Sequence, residues 1–318
     1  MEITASVATV ALIIPNWNGT KHLDVCLASI AAQSTRPDRT FLVDNGSSDG
    51  SVAFVAGNFP WVKCITLPRN LGFAAAVNRG IEASHEDFLA LLNNDTELDV
   101  HWLGEMVREL ESDASAGMAA CKMLRFDERT TIDAAGDALT RGGSPLTLGA
   151  GEQDGEKFNH RRYVPGTCAG AALYRRKMFS RIGLFDEDFV SYYEDVDLSL
   201  RAQLAGYRCL YVPTAVCYHK RGATSALLKD FPVRMQERNL TALHVKDLPA
   251  SVVLMKAPSI LIGRARRLWR EIRAGVGPAA LVGLLQGVVL IPHMLRKRKG
   301  IHRFRSVPAD YIASLFGS

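Results

Sequence analysis

A chain of 318 residues, 47% hydrophobic and 22% charged, is long and apolar enough for one large folded domain with an appendage, which excludes an extended disordered protein. Its net charge of +5 hides an asymmetry: residues 261–318 hold eleven Lys or Arg against Glu271 and Asp310, so the first 260 residues are net negative and the basic partner surface is the tail. Six cysteines without a CxxC pair argue against a structural zinc site or a dense disulfide framework and fit a reducing compartment.

Residues 7–14 (VATVALII) are β-branched and apolar and stop at Pro15 and an NWNG turn, which predicts a buried first strand. With Glu2 where a basic leader would stand, this run reads as a strand and not as a signal peptide. A helix follows over about 21–33. RTFLVDNGSSDGS repeats the plan, with a strand ending at Asp44, a Gly/Ser/Asp turn, and a helix capped by Asp49 or Ser51. CITL and PRNLGFAAAVNRGIEAS give a third strand, loop and helix, DFLALLNNDTELD a fourth strand and HWLGEMVREL a fourth helix. The alternation predicts an α/β fold, a mainly parallel sheet with helices on both faces, whose function sits on the loops after the strands.

Beyond Met118 the pattern is irregular. GMAACKML and GTCAGAALYRR read as strands, and TRGGSPLTLGAGEQDGE between them as a mobile loop. Val196, Leu200 and Leu204 recur at helical spacing ahead of Gly206 at a C-cap position, so a helix begins at or near Glu194. CLYV is a short strand after it, and His219 follows a further apolar stretch.

Acids and amides gather where this reading places strand ends and one helix start. Asn93, Asn94 and Asp95 leave the fourth strand either through a simple polar turn or through a ligand site. Glu194 and Asp195 read either as acids that suit a helix N-terminus or, with Asp197, as a cluster of three acids beside Tyr192 and Tyr193 that could carry chemistry. Asp95 and His219 together offer a carboxylate and an imidazole with no thiolate, an incomplete set that suits Mg²⁺ or Mn²⁺ completed by a diphosphate and water. His219 alone would read as an ordinary core or surface residue.

In their order and spacing, IPNWNG, VDNGSSDGS, RNLGFAAAVNRGI, LLNNDTEL, GLFDEDFVSYYEDVDLSLRAQLAGYRCLYVP and YHKRGATS resemble the family 2 glycosyltransferases, in particular the nonprocessive branch that includes bacterial rhamnosyltransferases, over about residues 7–225. The resemblance implies a GT-A fold, a Rossmann-like domain over 1–225 that binds a nucleoside diphosphate sugar, with 226–318 as a C-terminal helical, membrane-associating region. It places Asp44 at the nucleotide base, Pro15 and Asn16 along the same pocket, and Arg69 and Asn70 near nucleotide and sugar. Asn93, Asn94 and Asp95 match the DxD-type motif, whose last acid holds the metal on the diphosphate. The first acid is an asparagine here, so Asp95 supplies most of the motif's charge. His219 matches a position that completes metal binding in some relatives. Asp195 matches the base of an inverting transfer, Glu194 orients acceptor or base, and an exchange of their roles stays open. GTCAG, residues 166–170, matches an acceptor-side loop and reads equally as a Gly-rich strand entry, while Arg201 reads as a structural partner for acids.

In the tail, Leu261, Ala265, Leu268, Trp269 and Ile272 share one helical face with arginines around the rest, the pattern of a basic amphipathic helix lying on an anionic membrane. Residues 274–295 carry no charge and approach a span in length, but Pro278, Gln286, Pro292, His293 and four glycines make a weak one. Peripheral or shallowly embedded attachment on the cytoplasmic face of the membrane is therefore expected, and the apolar run suits nucleic acid poorly. The expected activity is inverting, metal-dependent transfer of a sugar, rhamnose as first choice, from a nucleoside diphosphate donor to a glycan or polyprenyl-linked acceptor in cell-envelope polysaccharide synthesis. A sugar nucleotidyltransferase should show a Gly-rich basic phosphate loop after the first strand, and PNWNG is neither; an inert membrane-bound recognition module should lack Asp95 or Asp195.

Overall fold

The computed structural model describes residues 8–220 and 230–317. The first third alternates strand and helix: β1 (Val10–Asn16), α1 (Thr20–Ala31), β2 (Arg39–Asp44), α2 (Ser51–Asn58), β3 (Val62–Thr66), α3 (Phe73–Glu82), β4 (Phe88–Leu92), β5 (Thr96–Leu98) and α4 (Trp102–Glu111). A strand-rich middle follows, with β6 (Ala116–Arg125), β7 (Ile132–Ala134), β8 (Asp137–Leu139), β9 (Pro145–Thr147), β10 (Arg162–Val164), β11 (Ala171–Arg175), α5 (Arg176–Ile182), α6 (Glu194–Leu204) and β12 (Arg208–His219). Four helices close the chain: α7 (Phe231–Lys246), α8 (Ala250–Arg273), α9 (Gly277–Ile301) and α10 (Ala309–Ser314). The boundary expected at 225/226 lies outside the described residues, as do Glu2 and the GATS end of the last motif.

The strand order is β10-β12-β6-β11-β4-β1-β2-β3. The first four strands are mutually parallel, as the alternation predicts, while β11 enters antiparallel between β4 and β6 and makes the second half mixed. Strand β1 alternates faces as a pleat must: Ala11 and Ile13 pack with Val77 and Ile81 of α3, and Val10, Leu12 and Ile14 with Leu23 and Leu27 of α1 and Trp102 and Met106 of α4. After β1 the chain moves to one side, to β2 and β3, and then returns to place β4 on the other. The carboxyl ends of β1 and β4 therefore splay around a crevice at the point where strand order reverses.

Three local expectations need correction. The first strand does not stop at Pro15 but pairs Pro15 with Val43 and Asn16 with Asp44, because a strand loses only one donor to a proline. Gly50, at φ 81°, occupies the N-cap of α2, and Asp49 serves it from one residue earlier by accepting the Ser51 amide at 3.1 Å. CLYV and the stretch before His219 are one strand, β12, whose register shifts between Val212 and Val216 where Pro213 interrupts it.

The Gly-rich segment read as a mobile loop holds strand β9, which pairs with β8, and a turn fixed from outside: His244 Nε2 donates to the Gly143 carbonyl at 2.9 Å. Burial pushes the His244 imidazole down to about 4, with Arg264 nearby acting in the same direction and the Gly143 bond opposing it. The unfolded chain takes up this proton near its ordinary value of 6.5, so the contribution is complete above that pH and is lost as pH falls towards 4. Between pH 7 and pH 5 the wild type should lose about 2 kcal/mol more of unfolding free energy than His244→Gln, which keeps a donor and cannot titrate. Urea midpoints at the two pH values measure this, and equal losses in both proteins would refute it.

The C-terminal helices share a core with α6. Phe189, Val196, Leu200 and Leu204 pack with Leu243, Leu248, Val252, Met294 and Ile312. On α9, Gly283 and Gly287 face α7 so closely that a Cβ on Gly283 would lie 2.3 Å from the Arg234 carbonyl oxygen, so only glycine permits this approach of two backbones. Leu281, Leu285, Val288 and Val289 of α9 are thereby left facing outward, while Met294 and Ile301 stay buried.

Candidate active site

A cleft of about 870 Å³ opens over the carboxyl ends of β1 and β4. It gathers Pro15, Asn16, Arg69, Asn70, Asn93, Asn94, Asp95, Glu194, Asp195 and His219 in its lining. Asp44 is not in that lining. It lies beneath, 1% exposed, where Oδ1 accepts from Asn16 Nδ2 at 3.0 Å and Oδ2 accepts the Ser47 amide at 3.0 Å. The bond fixes which end of the Asn16 amide faces the cleft, and Asn16 Oδ1 then accepts from Asn94 Nδ2 at 2.7 Å. The neighbour of Asp44, Asn45, reaches the cleft instead and pins the loop behind Arg69: it accepts the Leu71 amide at 2.8 Å and donates to Asn70 Oδ1 and the Gly72 carbonyl, each at 3.0 Å.

Asp95 and His219, 124 positions apart in sequence, come together because β5 pairs antiparallel with the end of β12. His219 Nε2 stands 3.3 Å from Asp95 Oδ1, and Nδ1 lies 2.7 Å from Asp133 Oδ2. Burial disfavours an imidazolium here, but hydrogen bonds to Asp133 and Asp95 and their charges outweigh it and raise His219 to about 9. A cation held between imidazole and carboxylate would displace the proton that these acids favour. An oriented imidazole with a carboxylate behind it and a second carboxylate in front is the donor set of a divalent-cation site with open positions, so the residues fit such an ion.

The opposite wall carries three carboxyl groups. Asp195 Oδ2 accepts the Ala169 amide at 3.2 Å and Oδ1 accepts its neighbour Val196's amide at 2.8 Å, so the GTCAG loop both enters β11 and holds this acid. Oxygens of Asp137 and Asp195 and the Cys168 sulfur lie within 4.8 Å of one another. Burial and then the Asp195 charge push Asp137 up to about 8, and burial with the Asp137 charge keeps Cys168 a thiol, a poor metal ligand. Glu194 is raised well above the carboxylate range by burial and then by Asp195, and its Oε2 has no hydrogen-bond partner among the described residues. Asp195 is raised too, by burial, yet it is the more exposed of the adjacent pair and its two amide bonds favour ionisation. Arg201 is structural, with Asp197 Oδ2 at 2.7 Å and the Ile182 and Leu184 carbonyls as partners.

The start of α6 is held under strain. Val190, Tyr192 and Tyr193 all have positive φ, 61°, 71° and 68°, a conformation costly for these side chains. Asn239 of α7, fully buried, compensates by donating through Nδ2 to the carbonyls of Phe189, Ser191 and Tyr192 at 2.8, 3.0 and 2.7 Å. Sequence reasoning missed Asn45, Asp133, Asp137 and Asn239. The two acids of DAAGD were visible as a pair, but nothing local tied them to His219 or Asp195.

Comparison with known proteins gives the family and the fold. The family model described as glycosyl transferase family 2 matches residues 11–183, more than half of the chain. N-acetylglucosaminyl-diphospho-decaprenol L-rhamnosyltransferase of Mycobacterium tuberculosis (strain ATCC 25618 / H37Rv) is 32% identical over 233 residues, 64% of this chain and 73% of that protein. The pre-mycofactocin glycosyltransferase of the same strain is 28% identical over 284 residues, 88% of this chain and 56% of its own length. Among solved structures, the mannosyltransferase PcManGT from Pyrobaculum calidifontis in complex with GDP-Man and Mn²⁺ superposes with a TM-score of 0.57 at 17% identity, over 98% of this chain and 86% of that one, a likeness of fold. The chain belongs to glycosyl transferase family 2 and is a glycosyltransferase.

Proposed function

We propose that this cleft transfers a sugar, with inversion, from a nucleoside diphosphate donor to a hydroxyl of a polyprenyl-linked glycan. The observation that carries the reading is the placement of a cation-competent pair, Asp95 and His219, in the same cleft as an amide-held Asp195. Asp95 and His219 would hold Mg²⁺ or Mn²⁺, which when bound neutralises the charge that develops on the departing diphosphate. Asn16, Asn94, Arg69 and Asn70 line the donor side, with Asp44 acting from beneath through Asn16. Asp195 accepts the proton of the acceptor hydroxyl. Its two amide bonds fix the carboxylate, and its burial makes it a stronger base than a surface acid. Glu194 and Asp137 stay protonated and offer O–H donors that orient acceptor and base. The Mycobacterium relative, named for L-rhamnose and a decaprenol-linked acceptor, supports rhamnose and a lipid-linked acceptor.

Helix α8 supports attachment to a membrane surface, which we place on the cytoplasmic face, because it turns charge inward and apolar side chains outward. Arg267 turns inward to Glu237 and to the Tyr193 hydroxyl at 3.1 Å, while Leu261, Ile262, Trp269 and Ile272 are more than half exposed. A helix that buries charge and presents Trp, Leu and Ile outward suits a lipid interface. Helix α9 is long and apolar enough to cross a bilayer, yet its Gly-lined face is packed on α7, which favours shallow embedding.

A panel of nucleotide sugars offered with membrane lipid extract, with and without Mn²⁺ or Mg²⁺, should show metal-dependent transfer that Asp95→Asn lowers at least a hundredfold. Metal-independent turnover would overturn the role of Asp95. The donor side has a separate test. A Cβ on Gly19 would lie 2.0 Å from Asn94 Nδ2 and 2.5 Å from Asn16 Oδ1, so Gly19→Ala must break that pair. A rise in donor KM of about tenfold with kcat changed less than threefold is expected, about 1.4 kcal/mol of lost binding. An unchanged KM would remove Asn16 and Asn94 from the donor site.

A further inference from the structure

The mechanism leaves unused a second cavity, a groove of about 610 Å³ between α7 and α9. Its floor and walls are apolar, formed by Met235, Val282, Leu285, Val289 and Leu290, and its polar members are Arg234, Arg238 and Gln286. No acid lines it among the described residues. Arg234 Nε and Gln286 Oε1 are buried and have no hydrogen-bond partner among the described residues. Two residues, Val190 and Phe231, line both this groove and the catalytic cleft, so the two lie side by side. At its other side the groove runs onto the outward face of α9, where Leu285 is 66% and Val289 78% exposed.

We infer that this groove binds the isoprenoid diphosphate portion of the acceptor, the chain against Leu285, Val289 and Met235 and the diphosphate at Arg234 and Arg238. The inference rests on the lipid-linked acceptor reading above and gives it a location. A water-soluble glycan would need no apolar path out of the cleft. A bilayer acyl chain would need no cations along it, and here the excess of positive charge is complemented by a diphosphate. The junction at Val190 and Phe231 then marks where the lipid diphosphate ends and the sugar to be extended enters the cleft that holds Asp195.

The test uses the full chain in detergent and farnesyl diphosphate as the probe, with farnesol and inorganic diphosphate as separate arms, read by calorimetry. Binding of a nucleoside diphosphate with Mn²⁺ is measured in the same samples. Farnesyl diphosphate should bind at least tenfold more tightly than either fragment. Leu285→Asp and Val289→Asp, both at exposed positions that folding tolerates, should each weaken it about tenfold with nucleotide binding unchanged. Arg234→Gln should weaken it similarly and leave farnesol binding unaffected. Farnesol binding as tight as farnesyl diphosphate would mark a groove for bilayer lipid and overturn the inference. So would affinities unmoved by all three substitutions, or loss of vesicle binding in the Asp variants with farnesyl diphosphate binding intact. Loss of nucleotide binding in the wild type alone would strike the donor reading, and the farnesyl diphosphate result would still decide the groove.

Discussion

Asp195→Asn is expected to lower kcat for sugar transfer by roughly 10³-fold, with nucleoside diphosphate affinity within twofold of wild type. The side chain keeps its size, so the cleft keeps its shape, and what disappears is the carboxylate that two backbone amides hold in that wall. Three carboxyl groups crowd there, and simultaneous ionisation would put like charges within a few ångströms in a buried setting. Two amide donors select Asp195 as the ionised member. Glu194→Gln supplies the contrast: it replaces one neutral donor by another and should cost less than tenfold. A large loss in Glu194→Gln with near-normal Asp195→Asn would mean that the two acids exchange roles, the alternative the sequence leaves open. Rates under saturating donor and acceptor, across pH 5 to 9, separate these outcomes. The wild-type profile should fall on its acid side at a pH above the ordinary carboxylate range, because burial raises Asp195.

The parts of this site that were readable from sequence are those set by strand ends. Asn16, Asp95 and His219 each lie at or just beyond the end of an apolar run, and parallel strands bring such ends to one edge without any knowledge of pairing. Asp195 was readable because α6 announces its own start through Val196, Leu200 and Leu204. Asp44 shows the limit of the method. Its position at the end of β2 is as expected, but which of two adjacent residues reaches the cleft depends on the pleat, and the pleat turns Asn45 outward and Asp44 down onto Asn16. Asp133, Asp137 and Asn239 were out of reach for a different reason. Each acts across a pairing or helix contact made by residues 47 to 86 positions distant, and no local pattern encodes such a partner.

The same long-range contacts mean that the C-terminal helices help to build the cleft wall that carries Asp195. Lys246 at the end of α7 is fully buried, with Nζ at 2.6 Å from Asp186 Oδ2 and also against Asp197 Oδ1 of α6. Burial would raise Asp186, but Lys246 and then Lys297 of α9 hold it well below the carboxylate range. Asp247 beside them is raised by burial and then by Asp197. Lys246→Met fills the same volume yet leaves two buried acids each short of a cation. The expected cost is about 3 kcal/mol of unfolding free energy, towards the lower end for breaking a buried pair because Lys297 and Arg201 remain. Lys297→Met removes a cation whose side chain is 34% exposed and should cost below about 1 kcal/mol. Urea denaturation of both proteins makes the comparison, and a Lys246→Met midpoint equal to wild type would refute it. Transfer activity should fall with stability in Lys246→Met, since Asp186 and Asp197 flank the strained Val190–Tyr193 segment that aims Asp195. The C-terminal helices therefore have to fold before Asp195 is held in place, which couples their packing to the cleft.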